Sequence, residues 1–288
     1  MSRILEHYVK EEVVREIVDF SVNKWVAIHC STTTDNQEKI MLRYFPRSRR
    51  PLRIDSEDDF RRLFNLVGVY RPRTFYASIN VYARIDSLEY ALDRMNIIGS
   101  TPTWDIDSTD NDYRKVVAAA REILDILEKL HISRSLIIKW SGRGMHIHVH
   151  PNAFSPELSS RIHPLDVAYS VTEYVLRRIT PVEGVNIENK IDMGRVFTTP
   201  LSLHRELDRV AVCINVDELE DFDLSWTDIG NFKHDKSWRR HITGEGDDLA
   251  EKAFVEIGPY IYKGGRRRIH KPLDKQIMET FNRFKNVF

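Results

Sequence analysis

The sequence is poor in the features that define several large classes of protein. Its 288 residues include two cysteines, Cys30 and Cys213, which cannot build a disulfide framework or, by themselves, a structural zinc site. It contains no apolar stretch of about 18 residues, and charges interrupt its N-terminal segment every few positions. We therefore expect no transmembrane helix, no secretory signal peptide, no membrane partner and a reducing, cytoplasmic location.

Net charge is absent as well. The 43 Lys and Arg side chains are balanced by 43 Asp and Glu side chains, so the chain as a whole produces no field that would hold a polyanion. Any nucleic-acid surface must therefore come from local basic clusters. The candidate phosphate contacts in these clusters are Arg47, Arg49, Arg50, Arg266, Arg267 and Arg268. The alternative is that each cluster is simply a solvated loop.

The apolar patterns that are present predict a mixed α+β fold. Residues 4–20 have apolar side chains at helical spacing, and so does a longer segment that ends near Leu130, with Asp110 or Asn111 as its expected cap. Strand composition is found at 74–83, 101–107, 135–140 and 145–150. Helices and strands alternate without a regular βαβ rhythm, so we expect a mixed, partly antiparallel sheet.

Two acidic residues lie within the apolar segment 101–107. Asp105 and Asp107 are separated by one residue, so on a strand their carboxylates point to the same face. Carboxylate oxygens are the ligands that hard cations such as Mg²⁺ prefer, and two-metal sites need several of them. The alternative is that the two acids lie at the exposed end of a strand and bind nothing.

The segment WSGRGMHIHVH (140–150) is a second candidate site. Its glycines let backbone amides approach an anion closely, and Arg143 can make charge-assisted hydrogen bonds to phosphate. Ser141, Arg143 and His146 are therefore candidate triphosphate contacts. Two alternatives stay open: a tight hairpin that needs glycine only for its backbone, and a transition-metal site formed by the three alternating histidines.

A third group of polar residues lies between residues 189 and 206. Asp192 and Arg195 precede Ser202 and His204, and the last two share a face if the segment is a strand. Taken alone, this pattern is more typical of structural contacts. Its significance comes from the order of the three segments: a carboxylate pair, a Ser-Gly-Arg-Gly-x-His turn, then a carboxylate followed by Ser-Leu-His.

This ordered set resembles the archaeo-eukaryotic primase superfamily, in particular the small catalytic subunit of archaeal DNA primase. That family has an Asp-x-Asp in a hydrophobic strand, a Ser-Gly-basic-Gly-x-His hairpin, and a third Asp followed by Ser-Leu-His. The segments FYASINVYAR (75–84) and ELEDFDLSW (218–226) are also similar to it. The resemblance covers roughly residues 70–226.

The resemblance implies a primase-polymerase catalytic core of two packed α/β units over residues 1–230. A mostly helical C-terminal extension with a basic loop would follow over 231–288, ending in a helix at about 274–286. The implied catalytic and metal-binding residues are Asp105, Asp107 and Asp192, holding two Mg²⁺ or Mn²⁺ ions, with no structural zinc. The implied nucleotide contacts are Ser141, Arg143, His146, Arg195, Ser202 and His204.

The implied activity is template-dependent joining of nucleoside triphosphates on single-stranded DNA. It would take place at the nucleoid, with a primase large subunit as a candidate partner. Two departures from the family pattern keep alternatives open. No cysteine lies between Cys30 and Cys213, so the zinc element usual in replicative members is missing, and Thr198 stands where the family often has Arg. The alternatives are an end-joining-type repair polymerase of the same superfamily and a non-catalytic, primase-like nucleic-acid-binding subunit.

Overall fold

The computed structural model describes residues 3–33 and 39–261. Within these residues there are eight α-helices: α1 (Arg3–Tyr8), α2 (Glu11–Ser21), α3 (Glu57–Leu66), α4 (Leu88–Leu92), α5 (Tyr113–Lys129), α6 (Pro156–Arg161), α7 (Pro164–Leu176) and α8 (Asp247–Ile257). The same residues contain ten strands: β1 (Lys24–Thr33), β2 (Lys39–Leu42), β3 (Pro72–Tyr82), β4 (Ile97–Ser100), β5 (Thr103–Ser108), β6 (Leu136–Trp140), β7 (Met145–Val149), β8 (Val185–Glu188), β9 (Val196–Thr198) and β10 (Val212–Ile214). None of these helices combines the length and the apolar character that a bilayer crossing requires.

Two five-stranded sheets form the centre of the molecule. The first has the order β2-β1-β3-β4, with β9 also paired to β3, and the second has the order β10-β6-β7-β5-β8. The pairs in both sheets are antiparallel. The expected α+β class is therefore confirmed, and the pairing is more uniformly antiparallel than the sequence suggested. The Gly-rich segment is the β6–β7 hairpin that the sequence predicts.

Helices α5 and α7 pack against the second sheet and leave its other face for polar residues. The buried side of α5 consists of Val116, Val117, Ala119, Ala120, Ile123, Leu124 and Leu127. Trp104 and Ile106 of β5 are fully buried in the same core, and the Trp104 indole donates to the carbonyl oxygen of Thr172 on α7 at 3.1 Å. Alternation along β5 therefore directs Asp105 and Asp107 to the opposite face.

Two local expectations were wrong. The predicted helix over 4–20 is divided, because α1 ends at Tyr8 and Lys10 is the extended N-cap of α2. The cap of α5 is neither Asp110 nor Asn111 but Asp112, whose carboxylate accepts from the Arg114 N–H at 3.0 Å. Asp110 instead receives hydrogen bonds from Ser108 and Lys115.

Helix α8 extends the core beyond residue 230. Leu249, Ala250 and Ala253 are buried in the main hydrophobic cluster, and Arg178, just after α7, forms an ion pair with Glu256 at 2.8 Å. The predicted basic loop with Arg266, Arg267 and Arg268, and the predicted helix at 274–286, lie outside the described residues. The division of the chain at residue 230 stays a prediction.

Candidate active site

One row of polar side chains crosses the second sheet at Asp105. In the strand register, Asp105 lies opposite His146 of β7 on one side and opposite Glu188 of β8 on the other. His146 in turn lies opposite Lys139 of β6. Residues directly opposite each other on paired strands share a face of the sheet. The face therefore carries a line of four polar side chains, and Asp107 follows two residues further along β5.

Asp105 is held by two hydrogen-bond donors. Its Oδ1 lies 3.2 Å from Nε2 of His146, and its Oδ2 accepts a short hydrogen bond from the Lys190 ammonium. Burial alone would raise the pKa of Asp105, but the hydrogen bonds and charges of His146 and Lys190 outweigh burial and hold that pKa far below its ordinary value. Asp105 is therefore ionised at any physiological pH.

Asp107 is in a different electrostatic situation. Its side chain is 52% exposed, and the Lys190 ammonium lies 3.8 Å from its Oδ2. Partial removal of the carboxyl from water, followed by the negative charge of Asp105, raises the pKa of Asp107. The two carboxylates thus repel each other across one face of the strand, and a divalent cation between them would relieve that repulsion.

The β6–β7 turn fits tightly between Asp107 and His204. A Cβ at position 144 would lie 2.4 Å from the Ile106 carbonyl oxygen and 2.5 Å from Oδ1 of Asp107. A Cβ at position 142 would lie 2.5 Å from the His204 ring, and Gly142 has a φ of +123°, which favours glycine. Packing through these two glycines therefore joins all three segments that the sequence singled out.

The remaining turn residues differ in their accessibility. Ser141 donates its hydroxyl to the Gly144 carbonyl oxygen at 3.1 Å, which closes the turn. The Arg143 side chain is 52% exposed and lies 3.2 Å from a carboxylate oxygen of Glu206. Arg143 therefore projects from the turn, and its contact with Glu206 is a surface ion pair, which is weak and readily exchanged.

Asp192 lies in a turn that the first sheet supports. Its Oδ1 accepts from the Gly194 N–H at 2.7 Å, and its Oδ2 lies 3.2 Å from the Arg195 guanidinium. Arg195 also donates to the Lys190 carbonyl oxygen at 2.9 Å. Arg43, which follows β2, donates to the Gly194 carbonyl oxygen at 2.6 Å. No motif in the sequence identifies Arg43, because the contact joins residues 151 positions apart, beside β2 and β9 of the first sheet.

Two of the predicted nucleotide contacts face the protein instead. Ser202 is fully buried, and its hydroxyl accepts from the Phe75 N–H at 2.7 Å, so this geometry gives it a structural contact and no access to a ligand. His146 is buried with Nε2 directed at Asp105. Burial lowers the pKa of His146, although the hydrogen bond and charge of Asp105 act in the opposite direction.

His204 lies closer to the surface, beside the β6–β7 turn. Its Nδ1 accepts from the Leu207 N–H at 3.0 Å. Burial, followed by the charges of Arg143 and Arg205, lowers the pKa of His204 to about 4. His204 is therefore an uncharged side chain near neutral pH, placed next to the exposed Arg143.

The three alternating histidines have three different kinds of partner. Besides the contact of His146 with Asp105, Nδ1 of His148 bonds the Thr103 hydroxyl at 2.8 Å, and the His150 ring stacks on His241 at 4.4 Å. Across residues 3–33 and 39–261, no group of three His, Cys, Asp or Glu side chains is already arranged as a metal site. This geometry gives no support to a histidine metal centre. The same holds for the three predicted Asp ligands, which are not already arranged around one ion position within these residues.

The carboxylates of Asp105, Asp107 and Glu188 form a cluster around Lys190, and an open cavity lies beside this carboxylate cluster. Its volume is about 630 Å³, which is in the range of small-ligand sites. The residues that line it are Glu188, Asn189, Lys190, Ile191, Asp192 and Arg195. Because Lys190 also contacts Asp105, the cavity connects the Asp192 turn with the carboxylates of β5.

The donor set fits a divalent cation. The carboxylates of Asp105, Asp107 and Glu188 surround the Lys190 ammonium, which shows that a positive charge is favourable at this position. Carboxylates are also the ligand type that Mg²⁺ and Mn²⁺ take. Nothing in the sequence marks Glu188 or Lys190, and only the pairing of β8 with β5 brings them to the site.

One predicted phosphate-contact loop lies close in sequence to Arg43, the residue that bonds the Asp192 turn. Arg47, Arg49 and Arg50 are exposed in the loop that follows β2. The same segment contributes Arg43, which bonds the Asp192 turn. The basic loop therefore begins a few residues after Arg43, which contacts the Asp192 turn.

Comparison with known proteins supports the fold. No family model matches the sequence, and no protein with a curated description matches it. Among solved structures, the polymerase domain of Mycobacterium tuberculosis Ligase D, in complex with DNA, aligns with a TM-score of 0.51. The alignment covers 89% of this chain and 88% of that domain, at 12% sequence identity. The chain thus has the fold of that polymerase domain over most of its length.

Proposed function

We propose that this protein is a template-dependent nucleotidyl transferase of the primase-polymerase type. The observation that carries the proposal is the packing of the β6–β7 turn between Asp107 and His204, while Lys190, which contacts Asp105 and Asp107, lines the same cavity as the Asp192 turn. Three segments far apart in sequence, each with residues suited to metal or phosphate binding, meet there. The fold shared with a polymerase domain supports the same reading.

In this proposal Asp105, Asp107 and Asp192 hold two Mg²⁺ or Mn²⁺ ions. When bound, such ions lower the pKa of an attacking hydroxyl and neutralise charge on the transferred phosphates. His146 acts on the carboxylate itself: it holds Asp105 ionised and in one orientation. Because Gly142 and Gly144 have no side chains, the turn can pack directly against His204 and Asp107.

The triphosphate would lie in the cavity beside Arg143, Arg195 and His204. The two guanidinium groups supply charge-assisted hydrogen bonds to its oxygens, and neutral His204 supplies a further polar contact. The 3′ oxygen of the growing strand forms a bond to the α-phosphorus as the bond to the β-phosphate breaks. The hydroxyl proton passes to solvent, and pyrophosphate leaves.

A single-stranded DNA template would follow the basic loop with Arg47, Arg49 and Arg50. Lysine and arginine contacts of this kind release counterions from the phosphate backbone and make binding strongly dependent on salt. Arg266, Arg267 and Arg268 are proposed as a second phosphate contact. A large subunit that assists priming is proposed as the protein partner.

A repair polymerase that acts at DNA ends is the second candidate. The solved polymerase domain with the same fold is part of a ligase, which favours this role over replication. Both candidates use the same site, so the substrate distinguishes them. A non-catalytic subunit is less well supported, because three acids and their supporting contacts are all present.

The test is incorporation of labelled nucleotides by the purified protein in Mg²⁺ or Mn²⁺. The templates are single-stranded DNA without a primer, the same strand with a primer, and a duplex with a gapped or overhanging end. Product without a primer supports a primase, and product only on ends supports the repair role. No product with any template, in either metal, would contradict a polymerase.

A further inference from the structure

The Lys190 ammonium lies at the centre of the carboxylate cluster. It donates a short hydrogen bond to Oδ2 of Asp105, lies 2.8 Å from Oε2 of Glu188 and 3.8 Å from Oδ2 of Asp107. Its side chain is only 25% exposed. One monovalent cation therefore contacts all three carboxylates at the position proposed for a divalent ion.

This arrangement differs from an ordinary surface ion pair, which contributes little. Asp105 is largely buried, so losing its cation would leave a poorly solvated negative charge beside two others. The ammonium donates a hydrogen bond to Asp105 and contacts Glu188, so it supplies the positive charge at the centre of the cluster.

Backbone contacts hold Lys190 in place, and its side chain borders an open cavity. Glu188 is the last residue of β8 and is paired with Asp105, and the Lys190 carbonyl oxygen accepts from Arg195. Asn189 fixes the bend between them, since its Oδ1 accepts from the Ile191 N–H at 3.1 Å. On the other side, Lys190 and Glu188 both line the open cavity.

We propose that Lys190 is an internal counter-ion, which occupies the cation position of the Asp105–Asp107 pair and moves aside when a divalent ion binds. This inference rests on the proposed metal site. Glu188, whose side chain is 45% exposed, keeps the displaced ammonium at the cavity wall. There the ammonium faces the place proposed for the triphosphate.

The consequence is that metal binding and nucleotide binding are coupled. Without a triphosphate, a divalent ion must compete with a tethered ammonium for Asp105, and its affinity is reduced. A bound triphosphate supplies negative charge for the displaced ammonium, so the competition weakens. The ion and the nucleotide then favour each other's binding by the same factor.

The test measures Mn²⁺ binding through the electron paramagnetic resonance signal of free Mn²⁺, without any turnover. Lys190→Met removes the competing charge, and Lys190→Arg keeps it. Lys115→Met is the matched control, because it removes an ammonium that pairs with the exposed Asp110. Asp110 lies just beyond the end of β5, the strand that carries Asp105. Asp105→Asn reports whether Mn²⁺ binds at the proposed site at all.

We expect Lys190→Met to bind Mn²⁺ about tenfold more tightly than the unaltered protein. Lys190→Arg and Lys115→Met should bind within about twofold of the unaltered protein. With a non-hydrolysable nucleoside triphosphate present, the effect of Lys190→Met should shrink to about threefold or less. The Mn²⁺-induced rise in melting temperature should also be larger for Lys190→Met, and a cooperative melt shows that each variant is folded. If Lys190→Met does not fold, Lys190→Gln carries the same prediction.

Equal Mn²⁺ affinity in Lys190→Met and the unaltered protein would overturn the counter-ion proposal. If Asp105→Asn still abolished binding in that case, the proposed metal site would stand without the counter-ion. If Asp105→Asn bound Mn²⁺ as the unaltered protein does, the metal site itself would be wrong, and the counter-ion proposal with it.

Discussion

Nε2 of His146 lies 3.2 Å from Oδ1 of Asp105, and both side chains are buried. The histidine of the Ser-Gly-Arg-Gly-x-His turn therefore contacts a carboxylate, although the sequence suggested a contact to the triphosphate. A histidine in this position controls the orientation and ionisation of a metal ligand, as groups that support metal ligands generally do.

Replacing His146 by Ala should lower kcat by about 10- to 100-fold and leave KM for the nucleotide within about twofold. The reason is that the variant loses the orientation of Asp105 and keeps the exposed phosphate contacts. Steady-state kinetics measure both constants, with His241→Ala as a control for loss of an exposed imidazole. A raised KM with an unchanged kcat would instead indicate the phosphate contact that the sequence suggested.

Gly144→Ala should reduce incorporation by about tenfold or more, because the new methyl group would collide with the Ile106 carbonyl and the Asp107 carboxylate. Gly230→Ala is the matched control, since nothing lies within 4 Å of a Cβ there. The comparison uses initial rates of the two purified variants. Equal rates in both would show that the turn does not need its close approach to Asp107.

The free energy of unfolding should fall as the pH decreases from about 6.5 to about 4. His7 is buried, and its Nε2 bonds the Leu201 carbonyl oxygen at 2.7 Å. This burial lowers the pKa of His7 to about 4. The unfolded chain binds a proton at the ordinary value of about 6.5, so in this interval the unfolded state holds more protons. The loss from this group alone is about 3 kcal/mol.

Denaturant unfolding at a series of pH values tests this prediction, with His7→Gln as the variant. The variant should show a shallower slope between pH 6.5 and 4, whatever its absolute stability. His150 and His204, whose pKa values burial lowers to about 3 and about 4, contribute in the same direction and remain in the variant. An identical slope in both proteins would exclude His7 as a source of the pH dependence.

Glu16→Ala should destabilise the protein by about 3–5 kcal/mol. The reason is that the buried groups which donate to the Glu16 carboxylate then lose their acceptor. Glu16 accepts from the Trp238 indole at 2.7 Å, lies 2.9 Å from Arg239 and lies 3.0 Å from His234, and so ties residues 234–239 to α2. Glu12→Ala on the same helix is the control, because Glu12 forms an exposed pair with Lys236. It should cost at most about 1 kcal/mol in the same denaturation experiment.

Short-range pattern was sufficient to predict part of the site. The period of two along β5 places Asp105 and Asp107 on one face, and glycine at 142 and 144 marks a tight turn. The contacts that give these residues their properties come from pairings distant in sequence. Lys190 reaches Asp105 only because β8 pairs with β5, and no local pattern encodes that register.

Burial was equally hard to predict. Ser202 lies in a Ser-Leu-His pattern that suggests a ligand contact, but its hydroxyl is buried against the Phe75 backbone when residues 199–203 pack beside β3. Arg43 has no motif, and its role at the Asp192 turn depends on the folding of the first sheet, which brings the segments beside β2 and β9 together. Both outcomes depend on tertiary packing, which composition and spacing do not contain.

The most direct test of the central proposal compares Asp105→Asn with Asp110→Asn in labelled-nucleotide incorporation on primed single-stranded DNA with Mn²⁺. Both changes remove one carboxylate near the end of β5, but Asp110 is exposed and forms its hydrogen bonds with Ser108, Lys115 and the turn before α5. The proposal predicts that Asp105→Asn lowers the rate by about a thousandfold, because a metal ligand supplies several kcal/mol of transition-state stabilisation, whereas Asp110→Asn stays within about twofold. An Asp105→Asn protein that melts cooperatively and incorporates nucleotides at the unaltered rate would contradict a catalytic metal site at β5.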